Sequence, residues 1–152
     1  MKFRNLRDAQ EVTRQSTSRF EFFGLEFDRD TGELNDEGRP IMESCVPWIE
    51  VRPVGECNAP YMNAVLAHQS KNRRRMSRGK LDARMLRENR ELDIDLFPRH
   101  VFTGSWGGWL DDATGEEVPY SADAARELLE QLPPEEFDEL RAYCNELGNF
   151  RS

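Results

Sequence analysis

The chain has 152 residues, 38% hydrophobic and 33% charged with 15 aromatics, which suits one folded domain with a polar surface and excludes disorder over the whole length. No apolar run approaches the roughly 18 residues that cross a bilayer, and the start Met1-Lys-Phe-Arg-Asn-Leu-Arg-Asp8 lacks the apolar stretch of a signal peptide, so neither a membrane partner nor export is expected. Cys45, Cys57 and Cys144 are odd in number and irregularly spaced, as free thiols in a reducing compartment would be.

The net charge of -8 is unevenly laid out. Residues 71 to 90 carry +7, residues 91 to 152 carry -11 and the first seventy carry -4. A basic band beside acidic segments favours self-complementary or heterotypic protein contact, with nucleic acid as the rival partner.

Residues 1–18 are polar and read as a mobile arm, leaving 19–152 as one domain. Phe20-Glu-Phe-Phe-Gly-Leu-Glu-Phe27 alternates apolar and polar positions with a slip at Phe23-Gly24, the pattern of a half-buried strand with a bulge. Asp28-Arg-Asp-Thr-Gly-Glu33 then reads as a turn. As a calcium loop it fails, because its glycine comes one position early and no bidentate Glu follows. In Trp48-Ile-Glu-Val-Arg-Pro53, Trp48, Glu50 and Arg52 alternate against Ile49, Val51 and Pro53, so one face can be buried, while Pro47 and Pro53 confine the strand to an edge, open to a partner strand, or limit its length.

Asn58 is a candidate N-cap for a helix over 60–76, with Pro60 in its first turn and Tyr61, Met62, Val65 and Leu66 at helical spacing. The basic band Arg73, Arg74, Arg75, Arg78 and Lys80 interrupts that pattern, Gly79 breaks or loosens the helix, and Leu81, Met85, Leu92 and Leu96 resume the stripe over 81–96, as a second helix or as one long helix with a weak middle. His68 and His100 each stand without a Cys, Asp or Glu partner at ligand spacing, which points to no metal.

Gly104-Ser-Trp-Gly-Gly-Trp109 has glycines but no Gly-Lys-Ser to follow, so it is no phosphate loop. Its glycines let backbone approach the large rings, one tryptophan being expected in the core and the other partly exposed. Leu110-Asp-Asp-Ala-Thr-Gly-Glu-Glu-Val118 repeats the chemistry of Phe27–Leu34, so two small hairpins with acidic Thr-Gly turns are expected. Ser121 is a good N-cap, and the helix it opens closes at Leu132-Pro133-Pro134. A second helix starts on the proline pair, presents Phe137, Leu140, Cys144 and Leu147 on one face and stops at Gly148, leaving Phe150 to fold back or enter a partner. The whole is α+β: short antiparallel β-hairpins, a central helical segment and a C-terminal helical hairpin.

Trp106 or Trp109, the acidic turn with Gly115, Val118-Pro-Tyr-Ser121, Leu128-Leu129, Leu132-Pro133, Phe137 and the closing Asn149-Phe150 resemble the small tail assembly chaperones of tailed bacteriophages. Trp48-Ile-Glu-Val-Arg-Pro53 and Asn58-Ala-Pro-Tyr-Met-Asn-Ala-Val-Leu66 resemble the front half of that pattern, so the likeness spans residues 47 to 150. It implies a non-enzymatic factor of the host cytoplasm, without cofactor or metal, that covers apolar segments of the tape measure protein and helps recruit tail tube subunits. A structural component of the particle, and hence a place in the virion, is the close competitor. A homo-oligomer stays open. Partner contact is expected at Trp48, Tyr61, Trp106, Trp109, Tyr120, Leu128, Phe137 and Phe150, and no nucleophile, base or ligand cluster accompanies them.

Overall fold

A computed structural model describes residues 16–55, 57–71 and 83–150, together with Arg4. The architecture is α+β, and the described residues form antiparallel sheets of short strands, four helices and a C-terminal helical hairpin. Arm residues 1–15 (Arg4 apart) and the basic positions Arg73, Arg74, Arg75, Arg78 and Lys80 lie outside the described residues, as does the junction at Gly79.

Strand β1 (Ser18–Glu21), a 3-10 turn (Phe23–Leu25) and strand β2 (Phe27–Leu34) replace the single bulged strand expected over Phe20–Phe27. The slip at Phe23-Gly24 is a change of sheet. β1 pairs antiparallel with β4 (Trp48–Val51), whereas β2 pairs with β3 (Pro40–Cys45). Phe22, on the near side of the turn, is driven into the core, and Gly24 lets the Glu136 carboxylate lie against the backbone where a Cβ would clash.

The first Thr-Gly motif also departs from expectation. Asp28–Glu33 is not the hairpin turn but an irregularity within β2, where the register shifts between Asp30 and Leu34; the chain reverses at Asn35–Arg39 instead. Asn35 accounts for the reversal: its Oδ1 accepts the amides of Glu37 and Arg39, and its own amide donates to the Arg39 carbonyl. The second motif behaves as expected, with Leu110 bridged to Glu117 around a turn held by Asp111 Oδ1 on the amides of Ala113 and Thr114.

β4 is central, not an edge: the order is β1-β4-β5, with β5 spanning Phe102–Gly107. Pro47 and Pro53 flank the four-residue strand without interrupting its ladders, which is why two prolines are compatible with a middle position. Pro47 even contributes an acceptor, taking the Phe22 amide on its carbonyl. Ile49 and Val51 are buried as the alternation predicts, and Pro53 continues the same buried face.

Helix α1 (Ala59–Lys71) opens on Asn58, whose Oδ1 accepts the Tyr61 amide while its Nδ2 donates to the carbonyls of Pro53 and His100. One side chain thus caps the helix and ties it both to the segment just after β4 and to the distant His100. Helix α2 (Ala83–Leu96) runs into a π turn (Phe97–Val101) that buries Phe97 and Val101. Helix α3 (Ala122–Gln131) is capped by Ser121 Oγ on the Ala124 amide, and α4 (Pro134–Asn145) starts on the second proline, both as expected. Phe137, Leu140 and Cys144 line the buried face of α4, but the helix ends before Leu147, which is exposed. Phe20, Phe22, Phe97, Phe102 and Phe137 meet the helices' apolar side chains in one cluster, with edge-to-face ring pairs among them.

Candidate protein-docking surface

The cross-strand register puts Phe20, Ile49 and Trp106 on one face of the three-stranded sheet and Glu21, Trp48 and Gly107 on the other. The first face joins the core. On the second, the Arg19 guanidinium lies 3.6 Å over the Trp48 ring, and the ring edge rests on Gly107. A Cβ at Gly107 would sit 2.6 Å from Trp48 Nε1, so only glycine admits the indole there. Gly108, at φ +80°, brings the chain within reach of Pro47, whose Cα would be 2.9 Å from an added Cβ. Beside this stack Thr103 Oγ1 donates to Glu50 Oε1 at 2.6 Å. The assembly is a half-exposed aromatic, a cation and a carboxylate on a rigid sheet, the side-chain types that anchor protein interfaces.

Trp106 and Trp109 share one situation, contrary to the expected split into core and exposed. Both are half-buried and packed against the core, 6.3 Å apart between ring centroids. Trp106 Nε1 donates to the Val118 carbonyl at 2.9 Å, and Trp109 Nε1 to the Trp48 carbonyl at 3.2 Å. Each indole places its ring against apolar neighbours and its N–H on backbone, so that Trp106 staples the Val118–Tyr120 segment to β5 and Trp109 staples the loop after β5 to the start of β4. Tyr120 packs on Trp106 edge to face at 5.0 Å, and its partial burial raises the phenol pKa, with Arg52 opposing.

The other expected contact residues divide by depth. Leu128 is half-buried, whereas Tyr61, Phe137 and Phe150 belong to the core, Phe150 being 3% exposed. Phe150 therefore folds back, its ring 5.9 Å from Tyr143. These three are removed from the exposed surface because helix faces converge on them.

Sequence reasoning missed a buried polar node. Asp93, 4% exposed, accepts from Tyr61 Oη at 2.7 Å and pairs with Arg141 Nε at 2.6 Å, joining α1, α2 and α4. The signal was present: Asp93 falls three positions before Leu96, on the stripe that α2 turns inward. Burial, then Asp93, pushes the Tyr61 phenol pKa up, and burial does the same to the Cys144 thiol. These groups stay protonated and inert at neutral pH, a structural node rather than a reactive one. Arg19 was missed as well, since nothing in its local sequence marks it as the residue that covers Trp48.

Exposed apolar side chains also lie elsewhere, at Phe23 (67%) in the 3-10 turn and at Leu34 (65%) and Met42 (52%) in the β2–β3 hairpin. Among the described residues no helix is long and apolar enough to cross a membrane, and no three His, Cys, Asp or Glu side chains are grouped to hold a metal ion. Residues 57–152 match a family model described as YdaY prophage protein. No curated protein and no solved structure matches the chain.

Proposed function

The chain belongs to the YdaY prophage protein family, and from that phage origin we propose that it works as a non-enzymatic assembly factor, of the tail assembly chaperone kind. In this reading it covers apolar segments of the tape measure protein in the host cytoplasm and helps bring tail tube subunits to it. The observation that carries the reading is the placement of Trp48. A large ring stacked under Arg19 on the sheet face away from the core stabilises the interior little and is well placed to contact another protein. A long helical protein with apolar stripes aggregates unless such surfaces cover it, which gives the reading a physical purpose.

Co-expression with the tape measure protein of the same phage tests it. The expected result is that the tape measure protein stays in the supernatant with this chain and precipitates with the Trp48→Ala, Arg19→Ala variant. Precipitation in both cases would overturn the reading. Mass spectrometry of purified particles separates it from the structural alternative: a departing chaperone is missing from them, whereas a virion component is present at fixed stoichiometry.

A further inference from the structure

We infer that the β2–β3 hairpin is a hinged arm, pivoting at the 3-10 turn Phe23–Leu25 and at Val46, and that the Glu136 side chain is the stop that sets its resting angle. The roots of the arm are fixed. Phe22 is buried, its amide donates to the Pro47 carbonyl at 2.8 Å, and Pro47 packs against the Gly108 backbone. The paired arm begins at Phe27 and Cys45. Between roots and arm lie residues 23–26 on one side and the single residue Val46 on the other. That is the covalent layout of a hinge, in which a few residues at the ends of elements absorb a change of backbone angle.

The arm supplies little to hold itself down. No strand residue of β2 or β3 is buried, and Leu34, Ile41 and Met42 are exposed. The ladder between the two strands fixes the shape of the ribbon, not the direction in which it leaves the core. Direction falls to the turn. Leu25 is partly buried against the core, and the Glu136 carboxylate, from the first turn of α4, lies so close over Gly24 that a Cβ there would overlap Oε1.

This stop is poised rather than locked. Glu136 Oε2 is buried without a hydrogen-bond partner among the described residues, and an oxygen withheld from water in that way carries a desolvation cost that is recovered once water reaches it. Unseating the turn lets water in. Glu136 therefore blocks the arm by its shape, while its unpaired oxygen makes opening less costly. The bonds given up are the two that close the turn, from the Leu25 amide to the Phe22 carbonyl at 3.0 Å and from the Glu26 amide to the Phe23 carbonyl at 3.3 Å. Opening swings Leu34, Ile41 and Met42 to a new angle and leaves the core folded. The inference does not rest on the tail-chaperone reading, and its test uses this chain alone.

Residual dipolar couplings measured by NMR on the full chain test the hinge. Amides of β2 and β3 should share a smaller alignment magnitude than those of the three-stranded sheet, because pivoting averages them as a unit. Equal magnitudes in the parent chain would overturn the hinge, whether or not any variant folds. Amide hydrogen exchange tests the stop. Glu136→Ala should speed exchange at Leu25 and Glu26 at least about threefold while Asn35, in the reversal of the arm, and Ile49, in the core, keep their rates. Glu136→Gln fills the same space and should keep the parental rates, as should Glu135→Ala, which removes a neighbouring carboxylate from the same helical turn. Unchanged rates at Leu25 and Glu26 in Glu136→Ala would overturn the stop, and so would a Glu136→Gln variant as loose as Glu136→Ala. Faster exchange spread along the whole hairpin would overturn the pivot, since the ribbon would then be unfolding rather than swinging.

Discussion

Gly107 and Trp48 are matched across β4 and β5: the indole edge occupies the space that any side chain at 107 would need, with Nε1 2.6 Å from the place of a Cβ. Gly107→Ala must therefore lift the ring from the sheet and away from Arg19. The expected outcome is a folded protein destabilised by about 1–3 kcal/mol, read by urea denaturation, with tryptophan emission shifted to the red. Trp48→Ala should be milder than core truncations because the ring lies off the core, and a loss of more than about 3 kcal/mol would contradict that placement.

Phe150 and Phe137 answer to the opposite rule. Each is buried, so Phe150→Ala and Phe137→Ala should each lower stability by about 3–5 kcal/mol. The check is a thermal melt with no partner present. An unchanged melting point for Phe150→Ala would return that ring to the free docking groups.

Asp93 and Arg141 should be strongly asymmetric under mutation. Arg141→Ala leaves a buried carboxylate whose remaining hydrogen-bond partner among the described residues is Tyr61, and a cost of about 3–5 kcal/mol is expected. Replacing both partners together, Asp93→Leu with Arg141→Met, should cost less than Arg141→Ala alone. A double variant less stable than the single one would show that the pair is net stabilising.

The raised thiol pKa of Cys144 carries a pH signature. Its folded-state value lies above the unfolded one, so the folded state favours the protonated form. That contribution is complete below the ordinary thiol value near 9 and is lost as pH rises past it. Stability should fall above about pH 9 by about 1.4 kcal/mol per pH unit from this group, with Tyr61 adding to the fall at higher pH. Denaturation of Cys144→Ala beside the parent at pH 7 and pH 10 checks it: the variant should show the smaller decline.

Ser121→Ala should remove the acceptor of the Ala124 amide and lower stability by about 1 kcal/mol, and Ser121→Asp should restore most of it. Equal stability of all three chains by denaturant titration would mean that packing, not capping, starts α3.

What the order of residues determined by itself was mostly local. Asn58 and Ser121 each reach an amide three positions on, Pro133-Pro134 forces a break between successive helices, and the inward alternation of Ile49 and Val51 follows from the period of a strand. The α+β class followed from those short-range rules. Tertiary structure decided the rest, because it depends on which distant surfaces meet. Pro47 and Pro53 flank β4 correctly, yet nothing near them says that β1 and β5 take both its edges. The Phe23-Gly24 slip could equally be a bulge or a change of sheet until β3 draws β2 away. The three tryptophans look alike along the chain, and only cross-strand register puts Trp106 with the core and Trp48 on the open face under Arg19. The candidate docking surface is a product of that pairing: its members, residues 19, 48 and 107, are neighbours only once the sheet has formed.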